Sequence, residues 1–313
     1  CITSLAKNSD KISAVNMKSK DYTKKEAIEY IEDINNVFDV DFKKDSVFAL
    51  IDSSIAKLNA KIDGDHSQLR VLFKIGKGME TAANDVFCFS EYPRQFPAKY
   101  IKRRMCGDII GRYTHTEKNE YMLYIEDVQK FEDLPKSIQK HLKAHKDVLK
   151  NRATCKNEGR VWWRYSRPMH KEYYHLDKIW CSYRSKSNMF ALDESADYIG
   201  LTNTTVIFDT NKDIGLKYLL ALLNSRVLSF RYKSIGKQTG SGVFEYFENG
   251  VGKLPIPTAT PAEQQPIIDL VDRILAAKKA NPQADTSADE KEIDRLVYNL
   301  YGLTDEEIKI INK

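Results

Sequence analysis

Apolar positions recur at helical spacing through the first half of the stretch Tyr218–Pro257, where Leu219, Leu222, Leu223, Val227 and Phe230 share one face. A polar glycine loop, Gly236 to Gly242, follows. Then come an aromatic run (Val243, Phe244, Tyr246, Phe247) and a proline stop at Leu254-Pro255-Ile256-Pro257. The pattern predicts a packed helix and a packed aromatic segment that hold out a basic, hydrogen-bonding loop. Upstream, Ile2 to Ala6 and Ile12 to Val15 flank a turn and predict a hairpin. A lone hairpin is not stable in water, so it is expected to belong to a sheet whose other strands lie upstream.

Thr23 and Glu26 form a capping box that opens a helix over Lys24–Asn36, with Ile28, Ile31 and Ile34 inward. Residues 47–62 read as a second helix, with Phe48, Ile51, Ile55 and Leu58 on one face and Gly64-Asp65 ending it. Val71–Phe89 reads as strand, loop and strand, with Val71, Phe73 and Ile75 alternating and Val86 to Phe89 forming the second strand. Tyr121 to Ile125 and Lys178 to Cys181 read as strands, as does Thr204–Phe208, and Asp213 is expected to cap the helix that follows. Pro135–Arg152 reads as one basic helix with Ile138, Leu142, His145 and Leu149 on one side and Lys136, Lys140, Lys143, Lys146 and Lys150 on others. Beyond Pro257 two amphipathic helices follow, opened by boxes at Thr260/Glu263 and Ser287/Glu290. They predict a helical hairpin, and a third box at Thr304/Glu307 starts a short final helix.

The 313 residues suggest about two domains and are 42% hydrophobic, enough for a sizeable core. The fold class expected is mixed α/β (α+β): small twisted sheets with flanking helices, followed by a C-terminal helical hairpin. Net charge is +5. Between Arg94 and Lys186, 22 lysines and arginines face 11 carboxylates, whereas from Pro257 onward 7 face 11. A basic middle suggests a polyanion partner and an acidic end a partner-facing or solvated region. The five cysteines show no CxxC spacing, so neither a zinc site nor a disulfide framework is supported and a reducing cytoplasm is expected. His141 and His145 stand at i,i+4 with no third ligand near, which favours a solvated or half-buried pair over a metal site. No run of 18 apolar residues exists, so no membrane partner is expected. The chain begins at Cys1, and a fragment or processed product is expected.

Catalytic signatures are sparse. Gly76-Lys77-Gly78 lacks the third glycine and the following helix of a dinucleotide fingerprint. There is no Asn-Pro-Pro-Tyr, no Asp…Glu-x-Lys arrangement, no Walker loop and no serine elbow. The chain is expected to catalyse nothing alone. Trp162-Trp163-Arg164-Tyr165-Ser166-Arg167, in contrast, mixes rings with guanidinium groups that can stack on bases and clamp phosphates; one tryptophan in the core and one on the rim are expected.

The order of these segments resembles the TaqI-type C-terminal specificity domain, the target recognition domain of type II restriction–modification methyltransferases, from about Leu69 to Tyr301. Gly76 to Phe87 is similar to that family's opening, with Ala82 where glycine is usual. Lys102 to Tyr113, the helix end at His145 to Arg152, and Trp162 to Arg167 with Lys178-Ile179 follow in the family's order. Leu222 to Ser225, Leu254 to Pro257 and Glu263-Gln264-Gln265 are similar to motifs shared with type I specificity subunits. Residues 1–15 resemble the last strands of the methyltransferase catalytic domain.

The resemblance implies a domain plan of 1–20 as the end of an upstream methyltransferase domain, 21–66 as a helical connector, 67–257 as the DNA target recognition domain and 258–313 as a C-terminal helical region. It implies double-stranded DNA and that upstream domain as partners, with target adenine as the methylated base. S-adenosylmethionine would be the parent's methyl donor and no cofactor is expected in this stretch; a nuclease on the same chain is allowed. Phosphate contacts are expected from Lys77, Lys102, Arg103, Arg104, Arg112 and Lys237, and base contacts from Arg164, Arg167, Arg184, Gln238, Thr239 and Ser241. The alternative is an assembly module whose acidic helical tail docks a partner subunit.

Overall fold

The structure, a computed structural model, describes residues 2–4, 12–15, 23–33, 37–40, 53–195, 197–209, 214–240 and 242–313. Its contacts divide the chain into two compact units, 1–64 with 304–313, and 65–303.

In the smaller unit Ile2–Ser4 and Ile12–Val15 pair antiparallel, as the hairpin pattern predicts. Their further partner is downstream: Val37–Val40 pairs antiparallel with Ile12–Val15. Thr23 and Glu26 form the full capping box, and the helix runs Lys24–Glu32. Its Ile28, expected inward, is 46% exposed. The next helix is Ser53–Asp63, with Gly64 at φ 40 behind it; Phe48 and Ile51 lie outside the described residues.

The larger unit is mixed α/β. Its main sheet has the order Phe190–Asp193, Lys178–Ser182, Thr204–Asp209, Phe73–Lys77, antiparallel throughout. Lys178 to Cys181 and the whole edge strand Phe190–Asp193 are buried at successive positions, so both faces are covered. The helix Leu216–Asn224 covers one face and is itself buried at every position from Tyr218 to Asn224. It can be buried on nearly every side because the helix Pro261–Ala280 packs on it in turn, burying Ile267, Leu270, Val271 and Ile274. A second sheet, Tyr198–Gly200, Ile101–Met105, Tyr121–Leu123, Cys88–Phe89, joins the first through the Met79–Leu201 bridge. The core runs continuously between the sheets and includes Trp163, Tyr165, Tyr173, Tyr174 and Trp180. Within it Lys178 and Asp193 form a buried ion pair at 3.2 Å, and Trp180 Nε1 donates to the same carboxylate at 2.9 Å.

Two long helices of the sequence pattern are broken. Tyr218 to Ile235 divides at Ser225, whose ψ of 158 interrupts one helix and whose hydroxyl accepts from Leu228 N to cap the next, Arg226–Ile235. Pro135–Arg152 divides at His145 into Lys136–Ala144 and Lys146–Lys150. Both histidines are half-buried, His141 Nε2 against Val86 O and His145 Nδ1 against His141 O. The strand expected through Val86 and Phe87 is instead a single helical turn, Asn84–Phe87. Thr81 explains it: its hydroxyl pairs with Asn84 Oδ1 at 2.6 Å and accepts from Ala83 N at 3.1 Å. Val71, expected to alternate inward, is in a helical turn and 74% exposed. The boxes at Thr260 and Thr304 form. The one expected at Ser287 does not: the helix between them, Ser287–Leu300, has Thr286 as its N-cap and no side-chain cap bond. Asp213 lies outside the described residues, and Gly215 caps the helix it was expected to start.

One side chain ties the Thr81 turn to its surroundings. Arg152 is 6% exposed, and among the described residues its guanidinium meets no carboxylate. Its Nε donates to Leu149 O, Nη1 to Thr81 O, and Nη2 to Trp162 O and Arg164 O, all between 2.6 and 2.9 Å. A buried charge is costly, and four charge-assisted bonds of about 1.5–3 kcal/mol each offset it. Lysine has no planar fork to reach four carbonyls. Arg152→Lys is therefore expected to destabilise the larger unit by about 2–4 kcal/mol, read as a lower urea midpoint at unchanged slope.

Ala82 sits at φ 50, in the left-handed region where a side chain other than glycine is strained by about 1–2 kcal/mol. The turn has the geometry that glycine favours, without the glycine. Ala82→Gly is expected to raise stability by about 0.5–1 kcal/mol once the added freedom of the unfolded chain is subtracted, measurable in the same denaturation series.

Candidate nucleic-acid interface

The segment held out after Ile235 is not an open loop. Lys237–Gln238 turns back through Gly240 and Gly242, at φ 62 and 72, and pairs with Phe244–Glu245. Arg184–Ser185 pairs along the other edge of Phe244–Glu245, giving a three-stranded ribbon. Its register sets Arg184, Glu245 and Lys237 side by side across the strands, so the three side chains share one face. Gln238 pairs with Phe244 and stands on the opposite face.

Glu245 is the pivot of that face. Its Oε1 accepts from Arg184 Nη2 at 3.1 Å and its Oε2 from Lys237 Nζ at 2.9 Å. The carboxylate is covered, its side chain 6% exposed, while the two cations above it are 62% and 64% exposed. The Lys237 and Arg184 hydrogen bonds hold its carboxyl below the usual carboxylate range. Tyr183 extends the arrangement: Arg184 lies over its ring at 5.7 Å and Lys77 Nζ at 5.0 Å. Lys77, Arg184 and Lys237 thus gather around one ring and one carboxylate. Neither Glu245 nor Tyr183 was anticipated. The only sequence trace is a carboxylate inside an aromatic strand that lies next to a basic loop.

Thr239 closes the hairpin turn, its N–H donating to Val243 O at 2.8 Å. Ser241 lies outside the described residues. Beside Lys77, an open recess of about 560 Å3 is lined by Glu80, the Thr81–Asp85 turn and Leu201-Thr202. Gly76 and Gly78 do not form a cradle there. A Cβ on Gly76 would stand 2.3 Å from the His170 ring, and one on Gly78 2.1 Å from Leu201 O.

The other expected contacts are dispersed. Arg103 and Arg104 lie on the second sheet, paired with Glu117 at 3.3 Å and Glu120 at 2.7 Å, and Lys102 beside them is half-buried. Arg103 also donates to Tyr198 Oη. Arg112 donates through Nε and Nη2 to one oxygen of Glu290, at 2.9 and 2.6 Å. Trp163 is buried and Trp162 half-buried, one of each as expected. Arg164 lies over the Trp163 ring, 4.5 Å from its centroid, and donates to the carbonyls of Glu126, Val128 and Gln129, a strut between two loops. Arg167 is exposed, between Glu158 at 2.8 Å and Glu80 at 3.8 Å.

Among the described residues no helix is long and apolar enough to cross a membrane. No curated protein matches the chain. Among solved structures, the type IIL restriction–modification enzyme MmeI, determined in complex with DNA, superposes with a TM-score of 0.63 at 12% identity, over 97% of this chain and 40% of that one. The type IIG restriction endonuclease BpuSI gives a TM-score of 0.48 at 15% identity, over 80% of this chain and 33% of its own. The chain therefore spans two fifths or less of either enzyme, and at these identities the MmeI likeness concerns the fold. A family model for the TaqI-like C-terminal specificity domain matches residues 61–256, well over half of the sequence, and the chain belongs to that family.

Proposed function

We propose that this chain is the double-stranded DNA target recognition module of a restriction–modification methyltransferase, placing a target adenine for a catalytic domain carried elsewhere. Methyl transfer from S-adenosylmethionine is assigned to that domain; the chain's own work is to bind and orient the duplex. The observation that carries the reading is the ribbon face, on which one covered carboxylate holds two exposed cations in register within a specificity-domain fold.

In this reading Arg184 reads a guanine edge. One Nη2 bond is held by Glu245, and the rest of the guanidinium fork faces outward. Lys77 and Lys237 neutralise phosphates beside it. Gln238, on the ribbon's other face, and Arg167, between two carboxylates, are secondary contacts. Arg164 acts as the strut that fixes the loop carrying Glu126 to Gln129.

Selection from a randomised duplex pool tests the reading, and enrichment of one short motif is the expected result. Arg184→Ala should cost about 1–3 kcal/mol on the enriched site and relax one position within it. An equal loss on all sequences would contradict base reading by Arg184.

Glu245→Gln separates affinity from specificity. It removes one negative charge from the face and frees both cations from their fixed positions. Binding to arbitrary duplex at about 50 mM salt is expected to rise, with a steeper salt dependence, while the preference for the enriched motif falls.

A further inference from the structure

We propose that the outer face of the two helices Lys136–Ala144 and Lys146–Lys150 is a second DNA-binding surface. It would grip the phosphate backbone without regard to sequence and be centred on a ledge of Lys143, Lys146, Phe131 and Trp162. The proposal rests on the DNA-recognition reading and adds a site to it.

The inner faces of these helices are fixed by burial of Ile138, Leu142 and Leu149. Lys136, Lys140 and Lys143 follow one another at i,i+4,i+7 and share the outer face of the first helix, and Lys146 and Lys150 repeat the i,i+4 step on the second. All five are exposed. Among the described residues none of the five is in an ion pair, whereas Arg103, Arg104, Arg112 and Lys237 each hold a glutamate. From Lys130 to Lys150 six lysines face three carboxylates. Five of the basic middle region's cations that hold no ion pair among the described residues therefore stand on this one layer.

The ledge shows more than a solvated charge run. Lys143 Nζ lies 5.5 Å from the centroid of Phe131, Lys146 Nζ 5.5 Å from that of Trp162, and the two rings are 5.3 Å apart. Both rings are half-buried. Two ammonium groups are thus held side by side over adjoining rings, and less side-chain freedom is lost when each meets a phosphate. A lysine is a point charge with rotating donors, suited to phosphates along a backbone and not to the edge of one base. The ribbon and the helical layer would divide the work, the first reading sequence and the second supplying charge.

The test compares the chain with its K140Q/K143Q/K146Q/K150Q variant in titrations of a mixed-sequence DNA duplex across a salt series. Neutralising four contacts is expected to reduce the slope of log affinity against log salt by about 2–4. Binding at low salt should weaken by at least about tenfold, with the motif enriched from a random pool unchanged. Trp162 supplies an independent signal, because Trp163 and Trp180 are buried. Duplex should alter its fluorescence in the parent chain, and Trp162→Phe should abolish that change. Lysine-to-arginine replacement at the four positions should restore the slope, which separates charge from folding. Unchanged slope and affinity in the glutamine variant would overturn the ledge while leaving the ribbon reading intact. A changed motif at unchanged slope would also overturn it, by making the lysines base readers. No duplex binding by the parent chain would overturn the recognition reading and the ledge together.

Discussion

A buried guanidinium held by backbone carbonyls, with no carboxylate beside it among the described residues, organises the face on which recognition would occur. Arg152 joins the end of the helix Lys146–Lys150, the Thr81 turn and the backbone at Trp162 and Arg164 through four carbonyls. Each of those segments leads to an exposed group: the turn to Lys77 and its recess, the backbone at Trp162 to the aromatic ledge, the helix to Lys146 and Lys150. A lysine or a neutral residue could pack there, but neither could satisfy carbonyls arriving from three directions. Interactions of this kind fix orientation more than they add net stability, since most of the bond energy offsets desolvation of the charge.

The same logic appears on a smaller scale at Glu245. A covered carboxylate under two exposed cations contributes little stability through such solvent-facing pairs. What it does is set positions. It pins Arg184 and Lys237 to strands whose register is fixed on the other face by Phe244, so side chains that would otherwise sample many rotamers point one way. Recognition by a planar fork depends on that orientation.

What could be read in the sequence was what is local. The boxes at Thr23, Thr260 and Thr304 involve residues three apart, and all three form. The hairpin Ile2 to Val15 and the strands through Lys178 and Thr204 follow alternation or apolar runs, and they form too. The misread elements are those decided by a single hydroxyl inside an apolar pattern or by a partner far along the chain. Val86 and Phe87 have strand-like side chains but lie in a turn that the Thr81 hydroxyl and the Arg152 guanidinium impose. The helix through Tyr218 keeps its apolar spacing across Ser225, yet the hydroxyl there both ends one helix and caps the next. The candidate site was legible in its cations and not in what holds them. Arg184 and Lys237 stand 53 residues apart in sequence, and nothing local announces that Glu245 lies between them.

Counting charge along the chain located a basic region but could not say which cations were free to meet a polyanion. Arg103, Arg104 and Arg112 belong to the runs that look most like phosphate contacts, and each is paired with a glutamate of the same unit. The lysines of the broken helix look like an ordinary solvated face, yet among the described residues they form no ion pair. The difference is geometric. The arginines sit on or beside sheet elements, where neighbouring strands and loops bring carboxylates within reach. The lysines stand on an outward helix face where, among the described residues, the neighbours are rings and no carboxylate comes within ion-pair reach. A polyanion must displace a carboxylate to reach the first set and only water to reach the second. For equal formal charge, the helix face would therefore contribute the larger share of any counterion-driven affinity. The paired arginines are better suited to contacts whose strength depends on orientation.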